Sequence, residues 1–180
     1  MKKIFMLSLV VLSTAFGFAQ RTVPKADGSS VTFAIKNFGL TVNGSFTGLQ
    51  GSIVFNPANP GSANFNVTVD AGSVNTNNNS RDGHLKKEDY FNSTAFPKIS
   101  IVSTKVSNAG KAGSYFFDGI LTIKGKAKNI SFPFTAVAAG DGYLFDGSLK
   151  INRRDFKVGG NSLVLSDVLT VNLKIKTTKG

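Results

Sequence analysis

The chain has 180 residues with sixteen Phe, one His, no Cys, no Trp and a formal net charge of +11. The missing Cys excludes disulfides, thiolate metal sites and cysteine nucleophiles, and a single His cannot build a His-rich metal centre. A chain of this length suits one ordinary domain with its own core, and its positive charge fits a solubilising surface or contact with anionic lipid, glycan or nucleic acid.

Lys2 and Lys3 precede a largely apolar run from Ile4 to Phe16, and Gly17-Phe18-Ala19 supplies small residues at a cleavage position. This pattern predicts a secretory signal over residues 1–19, cut before Gln20. The run is shorter than the ~18 residues that span a bilayer. The expected product is a single domain over 20–180, in the periplasm or secreted.

Beyond the signal, the chain alternates. Val31, Phe33 and Ile35 predict a first strand, broken at Asn37-Phe38-Gly39. Leu40 to Phe46 and Ile53 to Phe55 predict two more, with Gly44, Gly48 and Gly51 read as bulges or tight bends. A turn over Asn56 to Gly61 leads to a strand through Phe65, Val67 and Val69. Asn75 to Ser80 reads as loop, and Asp82 to Tyr90 as a short helix of about two turns. Alternation resumes at Ile99 and Ile101, then around Phe117, from Phe132 to Phe134, from Phe145 to Ile151 and from Val168 to Ile175. Asn152 to Ser166 reads as a long polar connection. One apolar face per strand, repeated so often, predicts an all-β domain, a closed or nearly closed antiparallel barrel of about eight strands with one short helix. The pattern fits equally an interior filled by its own side chains and a hollow one that holds an apolar guest.

Catalytic constellations are hard to find. No Gly-x-Ser-x-Gly elbow accompanies His84, no phosphate loop has the strand-to-helix context, and the carboxylates sit mostly beside Gly or at turns. Stacking on nucleic acid needs solvated rings beside Lys or Arg. Most Phe here have inward parity, and only Phe116 and Phe156 are placed for exposure. No cofactor, metal or nucleic-acid partner is expected. Lys124-Gly125-Lys126-Ala127-Lys128 reads as a basic hairpin tip suited to weak contact with an anionic membrane.

Several segments, taken in order, carry a family likeness. They are Ser73-Val74-Asn75-Thr76, Arg81-Asp82-Gly83-His84-Leu85, Asp89-Tyr90-Phe91, Phe96 to Ile101 with Ser103-Thr104, Gly119 to Gly125, and Ile151-Asn152-Arg153-Arg154-Asp155-Phe156. Together they resemble the YceI-like family of exported proteins, from about Val23 to Lys176. Ser29-Ser30 stands where that family often has His-Ser, and Lys157 stands where Gly commonly follows Asp-Phe. The resemblance implies a lipocalin-like barrel whose elongated cavity holds a polyisoprenoid or similar long-chain amphiphile, without catalysis. On this reading Phe33, Ile35, Phe65, Val67, Ile101, Phe117, Leu121, Phe132, Phe134 and Leu149 line the ligand cavity. Arg81, Asp82 and His84 fasten the short helix over a barrel end or touch a ligand head group. The competing reading is a non-catalytic basic envelope protein whose filled barrel is only a scaffold. Both leave a homodimer open.

Overall fold

A strand with one apolar face must bury it, and this chain buries all such faces together by rolling one antiparallel sheet into a barrel. The computed structural model describes residues 20–180; the expected signal at 1–19 lies outside them. The strands are β1 (Gln20–Asn37), β2 (Leu40–Phe46), β3 (Gln50–Phe55), β4 (Asn64–Asp70), β5 (Lys98–Asn108), β6 (Ser114–Ile123), β7 (Lys126–Ala139), β8 (Gly142–Asn152) and β9 (Leu165–Lys179), with one helix, α1 (Asn79–Leu85). From β3 onward each strand pairs with the next, and β1 closes the ring on β9 from Thr22↔Lys179 to Asn37↔Leu165. The other edge of β1 is shared, its upper part pairing with β2 and its first residues with β3. β2 and β3 therefore act as one stave broken at Thr47-Gly48-Leu49, and the barrel has eight staves.

Closure needs local irregularity, and each irregularity has a chemical cause. Register shifts between Lys25 and Ser30 of β1, where Ser29 substitutes for the ladder. Its hydroxyl accepts from the Lys176 amide at 2.8 Å and donates to the Lys25 carbonyl. In β5 a second shift between Ser103 and Lys105 keeps Val106 inward, at 1% exposure. The Ser103 hydroxyl accepts from the Phe65 amide at 2.8 Å. Gly48 (φ +72°) and Gly51 (φ +130°) make the expected bends, but Gly44 does not have a positive φ. It is a seat for a ring, because a Cβ there would collide with Phe33 on the paired strand.

The two ends differ. The β3–β4, β5–β6 and β7–β8 connections close one end, and Phe55 sits there as the hub of an aromatic plug. Its ring meets Tyr115 at 5.1 Å, Tyr143 at 5.2 Å and Phe145 at 5.3 Å, all nearly edge-on. Such pairs contribute about 0.5–1.5 kcal/mol each beyond their buried area. Burial pushes the Tyr115 phenol above its ordinary value of 10.0, and Tyr143 beside it adds to the effect. At the rim of this end, the Thr178 hydroxyl donates to the Asp141 carboxylate and holds that carboxyl below its ordinary range.

Three expectations need correction. The helix runs over Asn79–Leu85, not from Asp82, because Asn78 caps it by accepting from the Arg81 amide. That is the work of a short polar side chain at a helix start, and it recruits residues read as loop. The Asn152–Ser166 connection is not polar throughout, since it buries Arg153, Phe156 and Val158. Of the two rings placed for exposure, Phe116 is 44% exposed but Phe156 only 1%. A 3-10 turn at Arg153–Phe156, capped by Asn152, bends the chain inward and carries that ring back into the core.

Lys157 ends this turn in the left-handed region, at φ 55° and ψ 37°. A side chain there costs about 1–2 kcal/mol relative to Gly, part of which is offset by the greater freedom of Gly in the unfolded chain. Its carbonyl accepts from Lys124 Nζ at 2.8 Å, a contact any residue preserves. Lys157→Gly is expected to raise stability by about 0.5–1 kcal/mol, seen as a higher urea midpoint at unchanged slope. A lower midpoint would assign the Lys157 side chain a stabilising contact of its own.

Candidate functional site

Above the plug the barrel is hollow. Large rings fill the closed end, but toward the other end the inward positions pass to Leu121, Ile123, Leu149, Ile151, Leu169 and Val171, which do not reach across. The result is a cavity of about 990 Å³. Ile99, Ile101, Leu169 and Val171 point inward yet stay only half-buried, because no side chain covers them from the opposite wall. A natural small-molecule site measures roughly 300–1,000 Å³, so this is a large one.

All ten residues expected to line a cavity do line it: Phe33, Ile35, Phe65, Val67, Ile101, Phe117, Leu121, Phe132, Phe134 and Leu149. Phe117 stacks on Phe132 at 5.0 Å and meets Phe65 edge-on, forming the floor where plug gives way to void. Val42, Val69, Ile99, Ile123 and Ile151 also line it and share the same alternation, but they were not singled out. Phe46, Leu85, Tyr90 and Phe91 were missed for another reason. Phe91 lies outside any strand and reaches the cavity because its ring packs edge-on against Phe46 at 5.4 Å, drawing the 71–97 segment over the mouth.

That segment is fastened at Thr76. The Asp82 carboxylate, itself buried, accepts from the Thr76 amide at 2.9 Å and from its hydroxyl at 2.6 Å. Arg81 Nε donates to the Thr76 hydroxyl at 2.7 Å, and its other end to the Thr76 carbonyl at 2.9 Å. Arg81 and Asp82 thus grip one threonine rather than each other. A bridge between Ser45 and Asn75 ties the same stretch to β2. His84 packs against Tyr90 at 5.0 Å and borders both the cavity and an outer groove. Arg81 borders the cavity and Asp82 does not.

Arg153 holds the other side of the mouth. The inward parity of Phe145, Leu149 and Ile151 continues one step past β8 and places Arg153 inside, at 4% exposure. Its guanidinium donates to the carbonyls of Val158, Gly160 and Ser166 and pairs with Asp167 at 2.7 Å. A buried cation is tolerated when each donor has an acceptor, and here the acceptors are the loop itself. Lys124 and Gly125 form the β6–β7 turn as expected, both at positive φ. Lys126 and Lys128 are exposed beside it, while Lys124 is tied to the Lys157 carbonyl.

The inward side chains of the wall are therefore apolar to the floor, and the polar groups gather mainly at the mouth, where Asn78, Ser80, Arg81, His84 and Lys87 stand, with Thr32, Thr68 and Ser100 bordering from their strands. Asp146, the one carboxylate bordering it, is an exposed mid-strand residue of outward parity. Among the described residues, no group of three or more His, Asp or Glu is gathered as a metal site. The arrangement can take up an apolar chain and offer cationic and hydrogen-bonding groups to its head.

The YceI-like domain model matches residues 23–177. A UPF0312 protein of Pectobacterium carotovorum is 31% identical over 137 residues, covering 71% of this chain and 69% of its own. The crystal structure of BcnA from Burkholderia cenocepacia superposes with a TM-score of 0.80 at 26% identity, over 84% of this chain and 98% of BcnA. A polyisoprenoid binding domain from Saccharophagus degradans, implicated in plant cell wall breakdown, shares the fold at a TM-score of 0.70 and 16% identity, over 91% of this chain and 100% of that domain. With the barrel closed and the ordered segments in place along nearly its whole described length, the chain belongs to the YceI-like family.

Proposed function

We propose that this protein is an exported carrier that holds a polyisoprenoid or another long-chain amphiphile in its barrel and does no chemistry on it. The observation that carries the reading is the cavity of about 990 Å³, lined to its floor mainly by apolar side chains and with most of its polar groups at the mouth. Each buried methylene contributes ~0.8 kcal/mol, so about fifteen carbons supply on the order of 10 kcal/mol gross. Ordering the chain offsets part of this, which leaves micromolar affinity or tighter. The S. degradans domain, whose name states polyisoprenoid binding, offers a precedent for such a guest in this fold. Export is proposed from the signal-like pattern of residues 1–19. A barrel serving only as a filled scaffold accords poorly with so large a void.

Because apolar area would drive binding, affinity should rise along a series of prenyl alcohols and fatty acids, then level off when the cavity is full. Isothermal titration with product analysis in parallel checks this. Affinity that ignores chain length, or a chemically altered ligand, would remove the carrier reading.

A narrowed cavity should shorten the preferred guest. Leu121 faces the void, so Leu121→Phe fills space and is expected to change stability by less than about 1.5 kcal/mol. The plateau of the chain-length series should then arrive several carbons earlier. An unmoved plateau would place the guest elsewhere.

Arg81 is asked to hold the mouth and not to drive affinity. Arg81→Gln should lower the unfolding midpoint by about 1–2 kcal/mol equivalent, through loss of charge-assisted bonds to Thr76. Affinity for a neutral prenyl alcohol should change less than threefold. A loss of a hundredfold or more at unchanged stability would make Arg81 a direct ligand contact.

A further inference from the structure

Two turns at the open end carry large apolar side chains into water. Phe38 and Leu40, at the β1–β2 turn, are each 73% exposed, and Leu163 in the β8–β9 loop is exposed completely. Val164 beside it is exposed as well. These turns touch, since the Phe38 amide donates to the Val164 carbonyl at 2.9 Å and Asn37 pairs with Leu165. They form one lip. The lip is continuous with the cavity wall, to which Asn37, Val42, Val164 and Leu165 belong.

The backbone of the lip joins the two turns, but its exposed apolar side chains bury little surface for the fold. Phe38 adopts φ 51°, a left-handed conformation that a bulky side chain disfavours and that Asn adopts more easily. This chain places its other large rings mostly inside, yet puts one in a strained turn with its ring in water. Strain and exposure together are expected where a surface is shaped for a partner.

Charge identifies the partner. Lys36 reaches the turn, its ammonium donating to the Gly39 carbonyl at 3.5 Å. Arg81 and Lys87 stand at the mouth. Of the nearby carboxylates, Asp82 is engaged by Thr76 and Asp167 by Arg153 and Arg154, while Asp155 is exposed in the Arg153–Phe156 turn beside Arg154. Glu88 and Asp89 face Lys124, Lys126 and Lys157 across the outer groove. We infer that the lip is a membrane-docking surface. Phe38, Leu40, Leu163 and Val164 enter the interfacial layer of a bilayer containing anionic lipid, while Lys36 and Lys87 meet head groups. The mouth then opens onto the acyl region, and a chain can pass into the barrel without crossing water. That purpose rests on the carrier reading; docking itself is measured without any ligand.

The test compares the protein with a Phe38→Asn/Leu163→Gln variant. Asn relieves the left-handed strain and Leu163 is already in water, so the variant should unfold at the same urea concentration or a higher one. Leu163→Gln alone serves as a second variant that leaves the turn untouched. Sedimentation with phosphatidylglycerol–phosphatidylethanolamine vesicles, with phosphatidylcholine vesicles as a neutral control, reads docking. The parent should bind the anionic vesicles, and less at high salt. The double variant should lose at least about tenfold in partitioning and the single variant about threefold or more, while decanoic acid binding in solution stays within twofold. Parent and variants sedimenting equally, or no vesicle binding by the parent, would overturn the inference. So would a concentration-dependent dimer abolished by the substitutions, which would assign the lip to a second copy. Docking that persists in a parent unable to bind decanoic acid or prenyl alcohols would support the lip and remove the carrier reading.

Discussion

The pairing of β1 with β9 is the constraint on which the rest of this molecule depends. It joins β9 back to the start of the sheet, leaves, among the described strands, only the short β2 with an outer edge, which the Ser45–Asn75 bridge meets, and turns nine apolar faces into one shared interior. An open sheet with the same alternation would leave rows of unpaired amides and a broad apolar face in water. Because β1 must also meet β2 and β3 along its other edge, it carries the chief irregularity of the barrel, between Lys25 and Ser30. Ser29 keeps that irregularity hydrogen-bonded. Closure thus sets the curvature, and curvature sets how far opposite side chains can reach toward one another.

Whether such an interior is filled follows from side-chain size along its axis. Phe55, Phe65, Tyr115, Phe134 and Phe145 converge on the closed end and touch at ring distances of 5–7 Å. Toward the mouth the inward positions hold mostly Leu, Ile and Val, with the Phe33 ring laid against Gly44 on the wall. The two segments that border the mouth are secured by polar groups turned inward, Thr76 under Arg81 and Asp82 on one side and Arg153 on the other. Packing makes the floor, and hydrogen bonding makes the rim.

The wall was legible in the sequence because a strand has a period of two, so parity alone places Phe33, Val67, Leu121 and Leu149 on one side. Hollow and filled barrels share that parity, so the alternation alone could not show the cavity, which only the family resemblance implied. Past the strand ends the period is lost. Phe156 returns to the core through a 3-10 turn, and no alternation announces it. Arg153 was reachable by extending the parity of β8 one step, but a charged residue after a strand reads as solvated. Thr76 was hidden because its role depends on two residues five and six positions later curling back on it.

The aromatic plug has a kinetic meaning. A barrel stopped at one end has a single door, so whatever enters tail-first must back out by the same route. With Phe55, Tyr115, Tyr143 and Phe145 packed across the closed end, no guest could be pushed through from behind. If the barrel holds a chain as proposed, exchange would wait for the occupant to withdraw, and residence time would grow with the length it has sunk. On the carrier reading proposed above, the fold would be a sleeve and not a tunnel, and a guest would leave by the face through which it entered.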